Sequence, residues 1–226
     1  MTFKEFIKSL GGDSAEGELI ATLFYSIVTS VLFLGAVYYF FAYSIEGFLS
    51  KFGIVLFLSA LSYAFISTSV RHVRAYKQFA CMSGMMIGMT SGMMGFLPGF
   101  YVASTNGMFY GGFFGVAIGV FLGIWNGKCC GIMGVLEGIM SGFMGGLMGA
   151  MTAFMLLNDH LFAASILVFI ISETILSGLS YMIFQETRES ERQRKESHWF
   201  TVILTLILMA VTTFFILWGP RGGAFV

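Results

Sequence analysis

The sequence contains little charge, little proline and little cysteine. Only 11% of its 226 residues are charged and the formal net charge is zero, so there is no basic surface of the kind that binds nucleic acid. Two prolines and three cysteines are present, with no CxxC pair. The chain also lacks an HExxH motif, a phosphate-binding loop and a nucleophile elbow. We therefore do not expect an enzyme.

Long apolar runs are what the sequence has in their place. Hydrophobic residues make up 57% of the chain, a composition typical of an all-α integral membrane protein embedded in a lipid bilayer. About 20 apolar residues are needed to cross roughly 30 Å of hydrocarbon. Seven segments meet that length, at about 19–43, 52–69, 80–103, 108–126, 130–157, 161–184 and 200–218. We expect a cytoplasmic N-terminal segment, 1–18, followed by a single transmembrane domain, 19–226.

The positions of Lys and Arg predict the orientation of these spans. With the N-terminus inside, ten of the twelve basic residues fall on the cytoplasmic side: Lys4, Lys8, Arg71, Arg74, Lys77, Lys128, Arg188, Arg192, Arg194 and Lys195. Only Lys51 and Arg221 fall outside. Because basic residues are enriched in cytoplasmic loops, we expect a cytoplasmic N-terminus and an external C-terminus, in the plasma (inner) membrane.

Two segments of the centre form an internal repeat. A shift of 50 residues places 81–106 on 131–156 and aligns five glycines and a serine, Ser91 with Ser141. Between the copies, the fourth span carries glycine at every fourth position. The glycines expected at helix contacts are Gly84, Gly88, Gly92, Gly111, Gly115, Gly119, Gly123, Gly134, Gly138 and Gly142.

Small residues at this spacing allow helix backbones to approach closely in lipid, where no hydrophobic free energy drives association. We therefore expect spans three to five to form a tight core, with the two repeat copies parallel and the fourth span antiparallel to both. Other spans, a second copy of the chain or helices of a membrane-complex partner should pack around this core.

Methionine is concentrated in the same region, with 13 of 16 between Met82 and Met155. Residues four apart share a helix face, so the third and fifth spans each present a row of thioethers. Thioether sulfur suits Cu(I), and thiolates at the predicted cytoplasmic ends would bind it more tightly. The candidate ligands are Met85, Met89, Met93, Met94, Met140, Met144, Met148, Cys81, Cys129 and Cys130. Methionine is equally suited to filling the irregular gaps beside glycine, and both interpretations remain open.

An MxxxM row beside GxxxG spacing resembles the CTR-type copper transporters at the level of these motifs. The resemblance covers Met85 to Met93 or Met140 to Met148 with the neighbouring glycines. It implies transport of Cu(I). The chain departs from that family in its number of spans, its two Met rows and the absence of a Met-rich external N-terminus.

Three functions follow from these patterns. The first is a transporter or carrier for Cu(I), or another soft monovalent metal ion, through a Met-lined core. The second is a structural subunit of a larger membrane complex whose glycines bind partner helices. The third is a proton or cation pathway centred on Glu173, because an ionisable group midway along the sixth span is a functional candidate by default. Glu137, which replaces Ile87 in the repeat, is a further ion candidate.

Four other features carry weaker expectations. His72 and His198 are expected at the membrane interface, and the turn 158–160 at the outer end is a candidate first contact for metal. Pro98 removes a backbone donor and predicts a bend or an end in the third span.

Overall fold

The computed structural model describes residues 15–42, 52–75, 80–157, 160–187 and 198–222. These residues form seven long helices: α1 (Ala15–Ala42), α2 (Ile54–Ala75), α3 (Ala80–Asn106), α4 (Met108–Gly127), α5 (Gly131–Met155), α6 (Leu161–Thr187) and α7 (His198–Trp218). A 3₁₀ turn, Lys128–Cys130, joins α4 to α5. Each helix is long and apolar enough to cross a membrane. The predicted all-α fold with seven spans is confirmed, whereas residues 1–14 of the predicted N-terminal segment lie outside the described ranges.

Helices α3, α4 and α5 pack against one another as a three-helix unit. Gly95 of α3 approaches Gly142 of α5, and Gly99 approaches Gly146, so contacts advance together along α3 and α5 and these helices are parallel. Helix α4 runs in the opposite direction to both. Gly111, near its start, lies beside Ala103 near the end of α3, and Gly127, at its end, lies beside Gly134 near the start of α5. The relative directions expected from the repeat are those observed.

The glycines of this unit lie where the backbones meet. A Cβ added at Gly123 or Gly138 would come closer than 3.0 Å to the backbone of the other helix, and the same holds at Gly115, Gly119 and Gly142. Such a contact would force the helices apart, so these positions accept no larger residue without a shift. Two of the predicted contact glycines are different. At Gly84 and Gly92 the nearest atom would lie at 4.0 and 3.8 Å, an ordinary contact distance.

Helix α2 occupies the middle of the remaining bundle and packs against α1, α3, α6 and α7. It is the most buried of the seven spans, with 78% of its most apolar window inside the protein, although serine and threonine recur along it. The predicted second span ends at 69, but the helix continues to Ala75 and buries Arg71, His72 and Arg74. His72, expected at the membrane interface, lies in the last turn of α2 and is buried between helices. The helix continues because Arg71 and Arg74 find partners inside the bundle.

Pro98 does not end α3, which runs through it to Asn106. A proline removes a single intrahelical donor and leaves the later ones intact. The helix ends instead before Gly107, whose φ of 104° lies in a region that favours glycine. Asn106 fixes this end by donating a hydrogen bond from Nδ2 to the Phe215 carbonyl at 2.9 Å.

Candidate functional site

Glu173 lies midway along α6 and faces the interior of the bundle. It is only 9% exposed. Its carboxyl group lies beside Ser62 of α2 and within electrostatic reach of Tyr101 of α3. Among the described residues, neither carboxyl oxygen has a hydrogen-bond partner. Because a buried carboxyl group is costly to hold in a membrane, Glu173 is a candidate functional residue.

The hydroxyl groups next to Glu173 are already paired with each other. Ser62 Oγ and Tyr101 Oη lie 2.8 Å apart, and both residues are fully buried. A hydroxyl group donates one hydrogen bond and accepts up to two. Ser62 can therefore donate to Glu173 while it accepts a hydrogen bond from Tyr101.

Buried hydroxyl groups continue along α2 in both directions from this point. Ser67 accepts a hydrogen bond from Thr205 of α7 at 2.8 Å, and Tyr63 pairs with Thr212 of α7 at 2.8 Å. We call the fully buried set the hydroxyl seam: Ser59, Ser62, Tyr63, Ser67, Tyr101, Thr205 and Thr212. The sequence analysis missed this feature, although the recurrence of serine in the second span was a usable signal.

At one end of the bundle, which we call the basic end, the seam reaches a charged cluster. Arg71 Nη2 and Glu18 Oε2 form an ion pair at 2.8 Å. Arg71 Nη1 also donates to the Thr22 hydroxyl and lies 3.0 Å from His198 Nδ1. Since a guanidinium group can only donate, Nδ1 is the accepting nitrogen of His198 in this arrangement. His198, expected at the interface, is exposed and contacts Arg71 and Thr22 at this end.

The predicted metal-binding methionines are distributed over two environments. Met94 is buried in the core. The others point away from α4: Met85, Met89, Met140, Met144 and Met148 are exposed and Met93 is half-buried. We call these six side chains the methionine surface. The thioethers therefore do not line a path inside the three-helix unit.

Glu137 lies at the edge of the methionine surface. Its Oε1 is 3.1 Å from where a Cβ of Gly88 would stand, so the carboxyl group covers the gap that this glycine leaves between α3 and α5. The residue is exposed, whereas its repeat equivalent, Ile87, is fully buried. Met144 and Leu147 are likewise exposed, and their equivalents Met94 and Leu97 are buried. The face that other helices cover on α3 is thus uncovered on α5.

The cysteines and the outer turn add little to the methionine surface. Cys130 is half-buried and packs against the small core cluster that contains Ile87, on the opposite side of α5. The side chains of Cys81 and Cys129, and residues 158–159, lie outside the described part of the structure. His160 is described and exposed. In the described ranges, no three His, Cys, Asp or Glu side chains come together as a metal site.

Compared with protein families, curated proteins and solved structures, the chain matches none. The resemblance to CTR-type copper transporters stays a prediction from motifs. The two arrangements that could carry chemistry are the Glu173 carboxyl group beside the hydroxyl seam and the thioethers of the methionine surface.

Proposed function

We propose that this protein conducts or carries protons or small cations across the membrane and that Glu173 is the group that binds and releases them. The observation that supports this function is the buried Glu173 carboxyl group, which has no hydrogen-bond partner among the described residues and lies beside the Ser62–Tyr101 pair. Ionisable groups at this depth mark ion and proton pathways in membrane proteins.

Transfer would proceed through four hydroxyl groups of the seam, those of Ser62, Tyr101, Ser67 and Thr205, and would not involve the Tyr63–Thr212 pair. Rotation of the Ser62 hydroxyl group toward Glu173 would pass a proton between the carboxyl group and Tyr101, toward the Asn106 end of α3. On the other side, Ser67 and Thr205 lead toward the basic end. In the orientation predicted from the basic residues, the basic end faces the cytoplasm, and the Arg71–Glu18 pair would control access there.

The experiment measures ion flux into proteoliposomes under a potassium diffusion potential, with a pH-sensitive dye and a sodium-sensitive dye inside. We expect Glu173→Gln to abolish flux, since the amide keeps the volume but cannot exchange a proton or balance a cation. Glu173→Asp should retain part of it. Glu137→Gln is the matched control, because it removes the other carboxyl group from the middle spans and should leave flux unchanged.

Labelling with a hydrophobic carbodiimide provides a second readout that does not need transport. Such reagents modify protonated carboxyl groups within membranes, so Glu173 should be labelled. A conducted metal cation such as Na⁺ should protect Glu173 from the reagent, whereas for a proton pathway labelling should increase as the pH falls. Flux that survives in a folded Glu173→Gln variant would overturn the proposal.

A second candidate is movement of Cu(I) along the methionine surface. This is the function expected first from the sequence. The observation that favours it is the shared outward face of the Met rows and Glu137. Since these side chains point away from the bundle, the path would lie between copies of the chain in a homo-oligomer. Neutral thioethers would release a monovalent ion without changing protonation.

Copper retained after anaerobic loading and removal of excess metal tests this candidate. We expect the wild type to retain Cu(I). Retention should be lost when the five exposed methionines of the methionine surface, Met85, Met89, Met140, Met144 and Met148, become leucine. This change nearly conserves volume. Met86 and Met209 are buried and serve as the matched control pair. Equal Cu(I) retention by the five-methionine variant and the Met86/Met209 control would mean that the surface methionines only pack. Absence of retention by the wild type would exclude a stable Cu(I) site.

A further inference from the structure

A second surface feature, independent of the hydroxyl seam, is an apolar groove between α4 and α7. It encloses about 760 Å³ and is lined on one side by α4 residues between Phe113 and Trp125 and on the other by α7 residues between Leu204 and Phe215. Phe113, Phe121 and Ile207, on its rims, are exposed. The groove is therefore open sideways to the bilayer.

Aromatic contacts join the two helices at both ends of the groove. The rings of Phe114 and Phe215 lie 4.6 Å apart at one end, and those of Trp125 and Phe200 lie 5.2 Å apart at the other. Between these contacts the groove separates the two helices. From Phe113 to Trp125 the groove follows α4 over twelve helical steps, or about 18 Å at 1.5 Å per step. This length is close to the roughly 15 Å of hydrocarbon in one leaflet.

Positive charge lies at the basic end of this groove. Lys128 is exposed and lines the groove just beyond α4. Arg74 lies over the Trp125 ring, 4.6 Å from its centre, so a second cation borders the same end. The groove thus combines an acyl-sized apolar channel with cations where a headgroup would lie.

We propose that this groove binds one acyl chain of an anionic phospholipid, with the lipid phosphate against Lys128. A zwitterionic lipid would fill the groove equally well, but the cation of its own headgroup would offset the attraction between its phosphate and Lys128. A helix of another protein has no headgroup phosphate and would need a carboxylate at this depth to match Lys128. Basic pockets between spans on the cytoplasmic side are known to suit anionic headgroups.

Quenching of Trp125 fluorescence by brominated lipids tests this proposal. Trp199 and Trp218 are exposed and can be changed to phenylalanine, which leaves Trp125 as the single tryptophan of the 226-residue chain. The protein is reconstituted in vesicles containing phosphatidylglycerol or phosphatidylcholine with dibrominated chains. We expect association with the brominated phosphatidylglycerol to be about fivefold stronger, since one Lys near the surface contributes about 1 kcal/mol.

Two variants separate the charge from the groove. Lys128→Gln should bring the two lipids to equal quenching, whereas Arg221→Gln, which removes an exposed charge at the opposite end, should preserve the preference. Ala117→Phe, which fills the groove, should reduce quenching by both lipids. Equal quenching of the single-tryptophan protein by the two lipids, or a preference that survives Lys128→Gln, would overturn the headgroup assignment. Absence of quenching by either lipid would mean that another helix covers the groove.

Discussion

Ser91 and Ser141 occupy equivalent positions of the two repeat copies, and their hydroxyl oxygens lie 2.5 Å apart across the contact between α3 and α5. The neighbouring glycines pair in the same reciprocal manner: Gly95 meets Gly142, and Gly92 meets Gly145. Each pair becomes the other when 50 is added to one residue and subtracted from the other. The two copies therefore pack about a local twofold axis that runs parallel to the helices.

Removal of either serine hydroxyl group should reveal this coupling. We expect Ser91→Ala and Ser141→Ala each to lower the free energy of unfolding and the double variant to lower it little further, because both delete the same hydrogen bond. Interhelical hydrogen bonds in membranes contribute about 0.6 kcal/mol on average and up to about 1.7 kcal/mol. A double-mutant cycle of unfolding in mixed micelles measures this coupling energy, and a value of zero would contradict the contact.

Close approach of glycines predicts a strong dependence on position. Gly138→Ala should lower the free energy of unfolding by about 1–3 kcal/mol, the range typical of overpacking, because its Cβ would meet the Gly123 backbone. Gly178→Ala on α6 is the matched control, since nothing lies within 4 Å of that position. Thermal unfolding in detergent compares the two. Because Ala has the higher helix propensity, propensity cannot explain a loss in either variant. Equal losses would mean that the close contact with Gly123 does not set the cost at Gly138.

The helices and their packing partners were predictable to different degrees. Apolar length defined the seven spans, and the glycine spacing with the 50-residue repeat indicated which three helices pack most closely. The central position of α2 was not predictable. Arg71 and Arg74 were assigned to a loop because they are charged, and their partners, Glu18 and Trp125, are distant in the sequence. Periodicity also placed the methionines on one face of each helix. It could not say that this face points outward, since that depends on where the other four helices pack.

The Ser62–Tyr101 pair should control transfer at Glu173. We expect Tyr101→Phe to lower proton flux by about tenfold or more, because a positioned donor contributes at least that much to proton transfer. Tyr63→Phe is the matched control: Tyr63 is equally buried and pairs with Thr212, away from the carboxyl group. Flux in proteoliposomes, normalised to folded protein, measures both. If Tyr63→Phe reduced flux as much as Tyr101→Phe, the effect would lie in bundle stability.

Removal of one partner of the Arg71–Glu18 pair should destabilise the protein more than replacement of both partners. Glu18→Gln leaves the guanidinium group of Arg71, which is 3% exposed, without its carboxylate, and loss of one partner of a buried pair is destabilising by about 3–5 kcal/mol. Because Glu18 is 19% exposed, we expect the lower part of that range. Replacement of both partners, Glu18→Gln with Arg71→Met, should recover most of the loss, since a neutral pair carries no desolvation penalty. Thermal unfolding of the single and double variants measures the recovery, and a double variant less stable than Glu18→Gln would mean that the contacts of Arg71 with Thr22 and His198 stabilise this end more than the ion pair does.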